Sequence, residues 1–223
     1  MNPSATTSIG PLDADDERAT RAVADLHVAG FPETTEARFG LPFLTRVYYG
    51  ALVRDGLLGC HVARRDGEVV AFISYTRVPR RLLTLAARRR PMLLARTLLR
   101  AALARPAAAG ALETHLRAAL PGASSSTGGA AIDSECGEVL LLIAKPEHQA
   151  WVPPGGRARV TVRLFAAMEA YFRRHGRERV LLLVRKNNTA SNLFCHSMGC
   201  RIAPSASDSV YNHFWYEIRS ASA

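Results

Sequence analysis

The sequence predicts an α/β fold built on one mixed sheet, and three observations carry that prediction. Residues 57–63 and 68–76 are two apolar runs joined by Arg65-Asp66-Gly67, and an Asp-Gly between such runs is the signature of a β-hairpin. The continuous apolar run at 139–144 has the pattern of a strand covered on both faces. From Glu138 onward the chain then reads strand, helix, strand, helix, strands, which is the order of an α/β domain rather than of a bundle or a sandwich.

The elements follow in order. Residues 8–12 form a short strand. Asp13, Asp15, Asp16 and Glu17 open a helix whose positive end favours acids, and Val23, Leu26 and Ala29 carry it to Gly30. Residues 41–52 give a second helix that buries Phe43, Val47 and Leu52, and the hairpin comes next. The stretch 79–120 is divided by Pro91 and Pro106, each placed as a first helical residue, into three helical pieces. In the middle piece the spacing sets Arg89, Arg96 and Arg100 on one face and Leu94, Leu98 and Ala101 on another. Residues 121–137, rich in Gly, Ser and Ala, read as a loop. Leu164, Phe165, Met168, Tyr171 and Phe172 have helical spacing within 160–175, and Gly176 stops that helix. A buried strand at 179–184, a helix at 189–198 closed by Gly199, and strands at 201–203 and 210–218 complete the order. One domain over 1–223 is expected, with 79–137 as a basic helical insertion.

The composition is that of an ordinary globular protein, with 48% hydrophobic and 22% charged residues, enough for a sizeable core. The net charge of +10 favours an anionic partner, and eight arginines with no acid lie between Arg80 and Arg105. Cys60, Cys136, Cys195 and Cys200 have neither CxxC spacing nor a histidine cluster beside them, so a metal site is not expected and reduced thiols are. No long apolar run predicts a spanning helix and no leader pattern is present, so a cytoplasmic protein is expected. With no reading motif and little aromatic interleaving, nucleic acid is not an expected partner.

Three segments, in this order, resemble the core of the GCN5-related N-acetyltransferase (GNAT) superfamily. The first is Leu142-Ile143-Ala144-Lys145-Pro146-Glu147-His148-Gln149, an apolar strand followed by Pro-Glu. The second is the helix from Val160 to Gly176 with the strand at Val180. The third runs from Asn187 to Cys200, where Asn188, Ala190, Phe194 and Gly199 fall in register with the family's N-x-A and F-Y-x-x-x-G-F segment. Motif-level likeness covers about a third of the chain, and the order of elements covers most of it.

The resemblance implies a central mixed, mostly antiparallel sheet flanked by helices, with the helical insertion between strands 3 and 4. It implies an N-acyltransferase that uses acetyl-CoA or another acyl-CoA and a small-molecule or peptide amine as acceptor. In such a site a strand edge offers N–H groups to the pantetheine and to the thioester oxygen, here from Leu142, Ile143 and Ala144. A loop and a helix N-terminus hold the phosphates, here Gln149, Gly155, Gly156, Arg157, Ala158, Arg159, Val160 and Thr161. Glu138 stands where many relatives keep a general base, although a solvated strand-end acid explains it equally well. Cys195 stands where the family often has a tyrosine that protonates the leaving thiolate; a small buried apolar residue is the competing reading. Asn188 bonds the cofactor arm or caps the helix that follows it.

The sequence departs from the family at the phosphate loop. Ala150-Trp151-Val152-Pro153-Pro154 stands where glycines should follow Gln149. Two registers stay open: counting back from Gly176 puts Arg159 and Thr161 at the glycine positions, whereas counting from Gly155-Gly156 puts Gly156 and Ala158 there. The departure supports an alternative, a GNAT-fold module without acetyl-CoA activity that binds another acyl donor, an acyl-carrier protein or a small ligand. The basic insertion offers a docking face for an acidic carrier protein, and a homodimer is compatible with the sequence.

Overall fold

The computed structural model describes residues 6–79, 81–104, 110, 136–153, 156–204 and 207–218. The described strands are β1 (Thr7–Pro11), β2 (Gly59–Arg65), β3 (Glu68–Thr76), β4 (Cys136–Ala144), β5 (Arg179–Arg185), β6 (Arg201–Ile202) and β7 (Tyr211–Glu217). They form one sheet in the order β1-β2-β3-β4-β5-β7-β6. Every neighbouring pair is antiparallel except β4 and β5. The sheet is therefore mixed and mostly antiparallel, and helices interrupt it between β3 and β4, as expected. The hairpin turn has Asp66 and Gly67 both at positive φ, 52° and 81°, the twist that joins two right-handed strands tightly.

Helices cover both faces. On one, α1 (Glu17–Gly30) starts at Asp16, whose carboxylate accepts the Ala19 N–H at 2.9 Å. The short α2 (Thr35–Arg38) is capped by the Thr34 hydroxyl. Then α3 (Leu41–Phe43), a π-helical stretch (Leu44–Ala51) and α4 (Leu52–Arg54) run on without a break. The Leu57 and Leu58 N–H groups both close this helix on Leu52 O, so β2 starts at Gly59, two residues later than the apolar pattern predicts. Phe43, Tyr49, Phe72 and Ile143 belong to the core on this side. On the other face, α7 (Val160–Arg174) and α8 (Thr189–Ser197) supply Leu164, Phe165, Met168, Phe172 and Cys195 to a second core with Ile73, Tyr75 and Val139. Neighbours in β3 such as Phe72 and Ile73 thus enter different cores, as the two-residue period of a strand requires.

The insertion begins with α5 (Leu82–Arg89) and α6 (Pro91–Ala104). Leu94, Leu98 and Ala101 of α6 pack inward and Arg96 and Arg100 are exposed, as the spacing predicts. Arg89 does not join them. The chain leaves helical geometry at Arg90 (φ −135°), so Arg89 ends α5 and donates to Asp55 O at 2.7 Å. Arg90 forms two hydrogen bonds to the Asp55 carboxylate, which hold its pKa below the usual range. The third helical piece after Pro106 and the Gly/Ser loop up to residue 135 lie outside the described residues.

Two buried histidines cross-link neighbouring elements. Thr34 O–H donates to Phe31 O, so its oxygen accepts from His27 Nε2–H at 2.9 Å; His27 Nδ1 then accepts from Tyr49 O–H at 2.9 Å. The chain of donors fixes the neutral tautomer, and burial lowers the His27 pKa to about 4. His61 Nδ1 meets Tyr75 Oη at 2.8 Å, and burial lowers its pKa as well.

Two predictions follow from this packing. A Cβ on Gly137 would lie 2.3 Å from Phe172 Cε1, so Gly137→Ala should cost about 1–3 kcal/mol in a denaturant titration. An unfolded histidine takes its proton near pH 6.5, whereas folded His27 waits until about pH 4. Between those values the unfolded chain binds more protons, so stability falls as pH drops through the window, by about 3 kcal/mol for this residue. His27→Gln should be less stable at pH 7 and should lose that share of the pH dependence.

Candidate functional site

The site is created by a failure of pairing. Among the described residues, β4 and β5 are paired over Cys136↔Arg179, Gly137↔Val180, Glu138↔Leu181 and Val139↔Leu182 and no further. Beyond Val139, β4 stays with β3 to Ala144, and β5 stays with β7 to Arg185. A bulge sits at this branch point: Ser74 pairs with Leu141 and Tyr75 with Val139, so Leu140 is the extra residue in β4. A bulge bends and twists its strand, and here it turns β4 away from β5. The gap is a cavity of 590 Å³ that passes between the two cores.

Backbone groups line one side of the gap. Lys145 N–H donates to Val70 O of the β3 side. By the alternation of an antiparallel ladder, Ile143 also turns to β3, and Leu142 and Ala144 turn their N–H groups to the gap. At the α7 end stand Gln149, Arg159 and Thr161. Helix α7 is 15 residues long with no side-chain cap, and Arg159 is its N-cap residue. Its first intrahelical bond runs from Arg163 N–H to Arg159 O, so the N–H groups of Thr161 and Val162 have no helical partner. Exposed Arg157 and Arg159 stand beside that positive helix end. The combination is one that binds phosphates.

The opposite mouth carries two carboxylates, one of them paired to an arginine. Phe31, Glu33, Thr34, Thr35 and Glu36 form its rim, and Arg185 of β5 reaches Glu33 at 3.3 Å. The His27 chain ends at Phe31 and Thr34 and so fixes this rim to the core. Between the mouths lie Phe165, Phe194 and Cys195. Helix α8 closes with Cys200 N–H on Cys195 O at 2.9 Å and Gly199 N–H on His196 O at 3.0 Å. This paired closure brings the first and last side chains of the motif together, and both are cysteines. The thiol contact with Cys200, and then burial, push the Cys195 pKa well up, so it is a neutral thiol. All four cysteines are free.

Of the residues singled out from the sequence, Leu142, Ala144, Gln149, Arg159, Thr161, Asn188 and Cys195 line the cavity. Ile143 does not serve it: its side chain lies in the first core and its backbone faces β3. Val160 is fully buried and its N–H is taken by Trp151 O at 2.9 Å, so it has no donor left for a phosphate. Gly156, Arg157 and Ala158 lie on the approach to α7 but not in the cavity wall, and Gly155 lies outside the described residues. The helix starts at Val160, which is the register counted back from Gly176. Asn188 caps α8, its carboxamide oxygen accepting Ser191 N–H at 3.0 Å, and it also lines the cavity. Glu138 is one residue before the branch point. Its neighbour Gly137 faces Phe172, so Glu138 points to the opposite face, where its charge acts on Tyr48.

Sequence reading missed the rim at 31–36 and Asn192. The Asn192 carboxamide donates to Arg185 O and Asn188 O, at 2.9 and 2.7 Å, and accepts from Asn212. It ties the free end of β5 to α8 and β7. Only the Asn-rich third segment hinted at it.

No protein-family model matches the sequence, and no curated protein matches it. Solved structures do. The PaiA N-acetyltransferase of Thermoplasma acidophilum, determined with coenzyme A, aligns at 12% identity over 95% of this chain and 99% of that one, with a TM-score of 0.52. An N-acetyltransferase from Staphylococcus aureus Mu50 aligns at 9% identity over 96% and 99%, with a TM-score of 0.55. A GNAT-family acetyltransferase from the same organism aligns at 7% identity over 96% and 100%, with a TM-score of 0.53. With the wedge between β4 and β5 and the uncapped start of α7 in place, this chain has the fold of the GCN5-related N-acetyltransferases.

Proposed function

We propose that this protein is an N-acyltransferase that moves an acetyl or other acyl group from an acyl-CoA to the amine of a small-molecule or peptide acceptor. The observation that carries the reading is the wedge itself. It is a channel with Arg159 and free helix N–H groups at one mouth, and with Glu36 and an Arg185-paired Glu33 at the other. A donor with a pyrophosphate suits the first mouth, and a cationic amine suits the second. The coenzyme A in the PaiA structure supports the choice of donor.

In this reading the phosphates lie against Arg159 and the N–H groups of Thr161 and Val162. The pantetheine runs along the gap, where Leu142 and Ala144 present N–H groups to its amides and to the thioester oxygen. The acceptor enters past Glu33 and Glu36 and loses a proton to Glu138, through water, because Glu138 is not in the cavity wall. Its nitrogen forms a bond to the thioester carbon, the C–S bond breaks, and the thiolate takes a proton. Cys195 stands on the wall near that end. A thiol that Cys200 and burial hold protonated is a weak acid, so water supplies that proton.

The alternative is a binding module with the same fold. It predicts acyl-CoA or carrier-protein binding without turnover, and the acidic carrier would meet the Arg-rich insertion.

Three outcomes are expected. Calorimetry with acetyl-CoA and longer acyl-CoAs should give binding that Arg159→Ala weakens by about tenfold and that falls with salt. Turnover of an amine panel should drop about a hundredfold in Glu138→Gln, with loss of the acidic limb of the pH–rate profile. Cys195→Ala should lower kcat by less than about tenfold. No acyl-CoA binding at millimolar ligand would overturn the reading, and binding without turnover of any amine would favour the module.

A further inference from the structure

Helix α6 carries two apolar stripes on opposite sides, and the described residues bury one. Leu94, Leu98 and Ala101 pack on the first core. At about 100° per residue, Met92, Leu99 and Leu103 fall within about 40° of one another on the far side. They are 83%, 60% and 80% exposed. Among the described residues these three side chains are largely uncovered and stand out as a ridge. Arg96 and Arg100 follow along one flank of the ridge and are exposed. No acid occurs in the sequence from Arg80 to Arg105, and Asp55, a carboxylate that reaches the region, is occupied by Arg90.

A ridge of long flexible apolar side chains flanked by cations on a helix 14 residues long has the chemistry of an interfacial helix. We infer that α6 docks this protein on an anionic lipid surface, with Met92, Leu99 and Leu103 dipping among the acyl chains and Arg96 and Arg100 among the headgroup phosphates. A protein partner would need a groove shaped to this ridge. A fluid bilayer needs none, and the excess of positive charge selects an anionic one. The inference does not depend on the proposed acyl transfer.

The test is co-sedimentation of the full chain with vesicles of phosphatidylcholine containing phosphatidylglycerol, and with phosphatidylcholine alone. Binding to the anionic vesicles should exceed binding to the neutral ones by at least tenfold. Met92→Gln, Leu99→Gln and Leu103→Gln together should reduce it by at least tenfold. Arg96→Gln with Arg100→Gln should reduce it severalfold and weaken its salt dependence. Both variants should keep the wild-type unfolding midpoint, because all five side chains are exposed. Equal sedimentation of the wild type and the triple variant would overturn the proposal. So would a dimer on gel filtration that the triple variant abolishes while vesicles are not bound, or capture of an acidic carrier protein without vesicle binding.

Discussion

Among the described residues, four backbone pairs, from Cys136↔Arg179 to Val139↔Leu182, join the two halves of the sheet. What lies beyond them follows from their ending where they do. Had β5 continued along β4, the N–H groups of Leu142 and Ala144 would be spent inside a ladder, and the two cores would be sealed from each other. The bulge at Leu140 prevents that by bending β4 at the point where the pairing stops. The ends left free are then held by other means. β4 keeps its ladder with β3, and β5 keeps its own with β7, reinforced by the Asn192 carboxamide at Arg185.

Polar groups at the wedge are divided by sign and by burial. Cations and unpaired N–H groups gather where α7 begins, at the surface, where charge is cheap to hydrate. Carboxylates gather at the rim between α1 and α2. The interior between them is apolar, with Phe165, Phe194 and a thiol that burial and its neighbour keep neutral. The rim also depends on a histidine that must stay uncharged, because its Nδ1 accepts the Tyr49 hydroxyl. The geometry of the acidic mouth is thereby linked to the protonation of a group in the core.

Much of this was legible in the sequence, and the pattern of what was not is physical. Helix α7 was expected at 160–175 and runs Val160–Arg174, because one apolar stripe and a terminating glycine define it without help from the rest of the fold. β3 was expected at 68–76 and matches. The wedge was not visible in the residues themselves. An apolar run at 139–144 reads the same whether its strand is paired on both edges or on one, and only the family resemblance pointed to a strand edge that offers its N–H groups. Val160 and Ile143 fall outside the cavity wall for a related reason: residue type does not reveal which way an N–H points or what has already claimed it. The rim at 31–36 carries no motif, since its place in the site comes from the helices on either side of it.

The branched sheet also acts as a lever. Five residues separate the last shared pair at Val139 from the far end of β4 at Ala144, an arm of about 16 Å at strand rise. A rotation of about 5° about the four pairs displaces the end of that arm by about 1.4 Å, close to half the diameter of a water molecule. The width of the channel is therefore set by the twist of a few strand pairs, and a change of side-chain volume at the pivot, as at Gly137 against Phe172, is read out at the opposite end as a change of aperture.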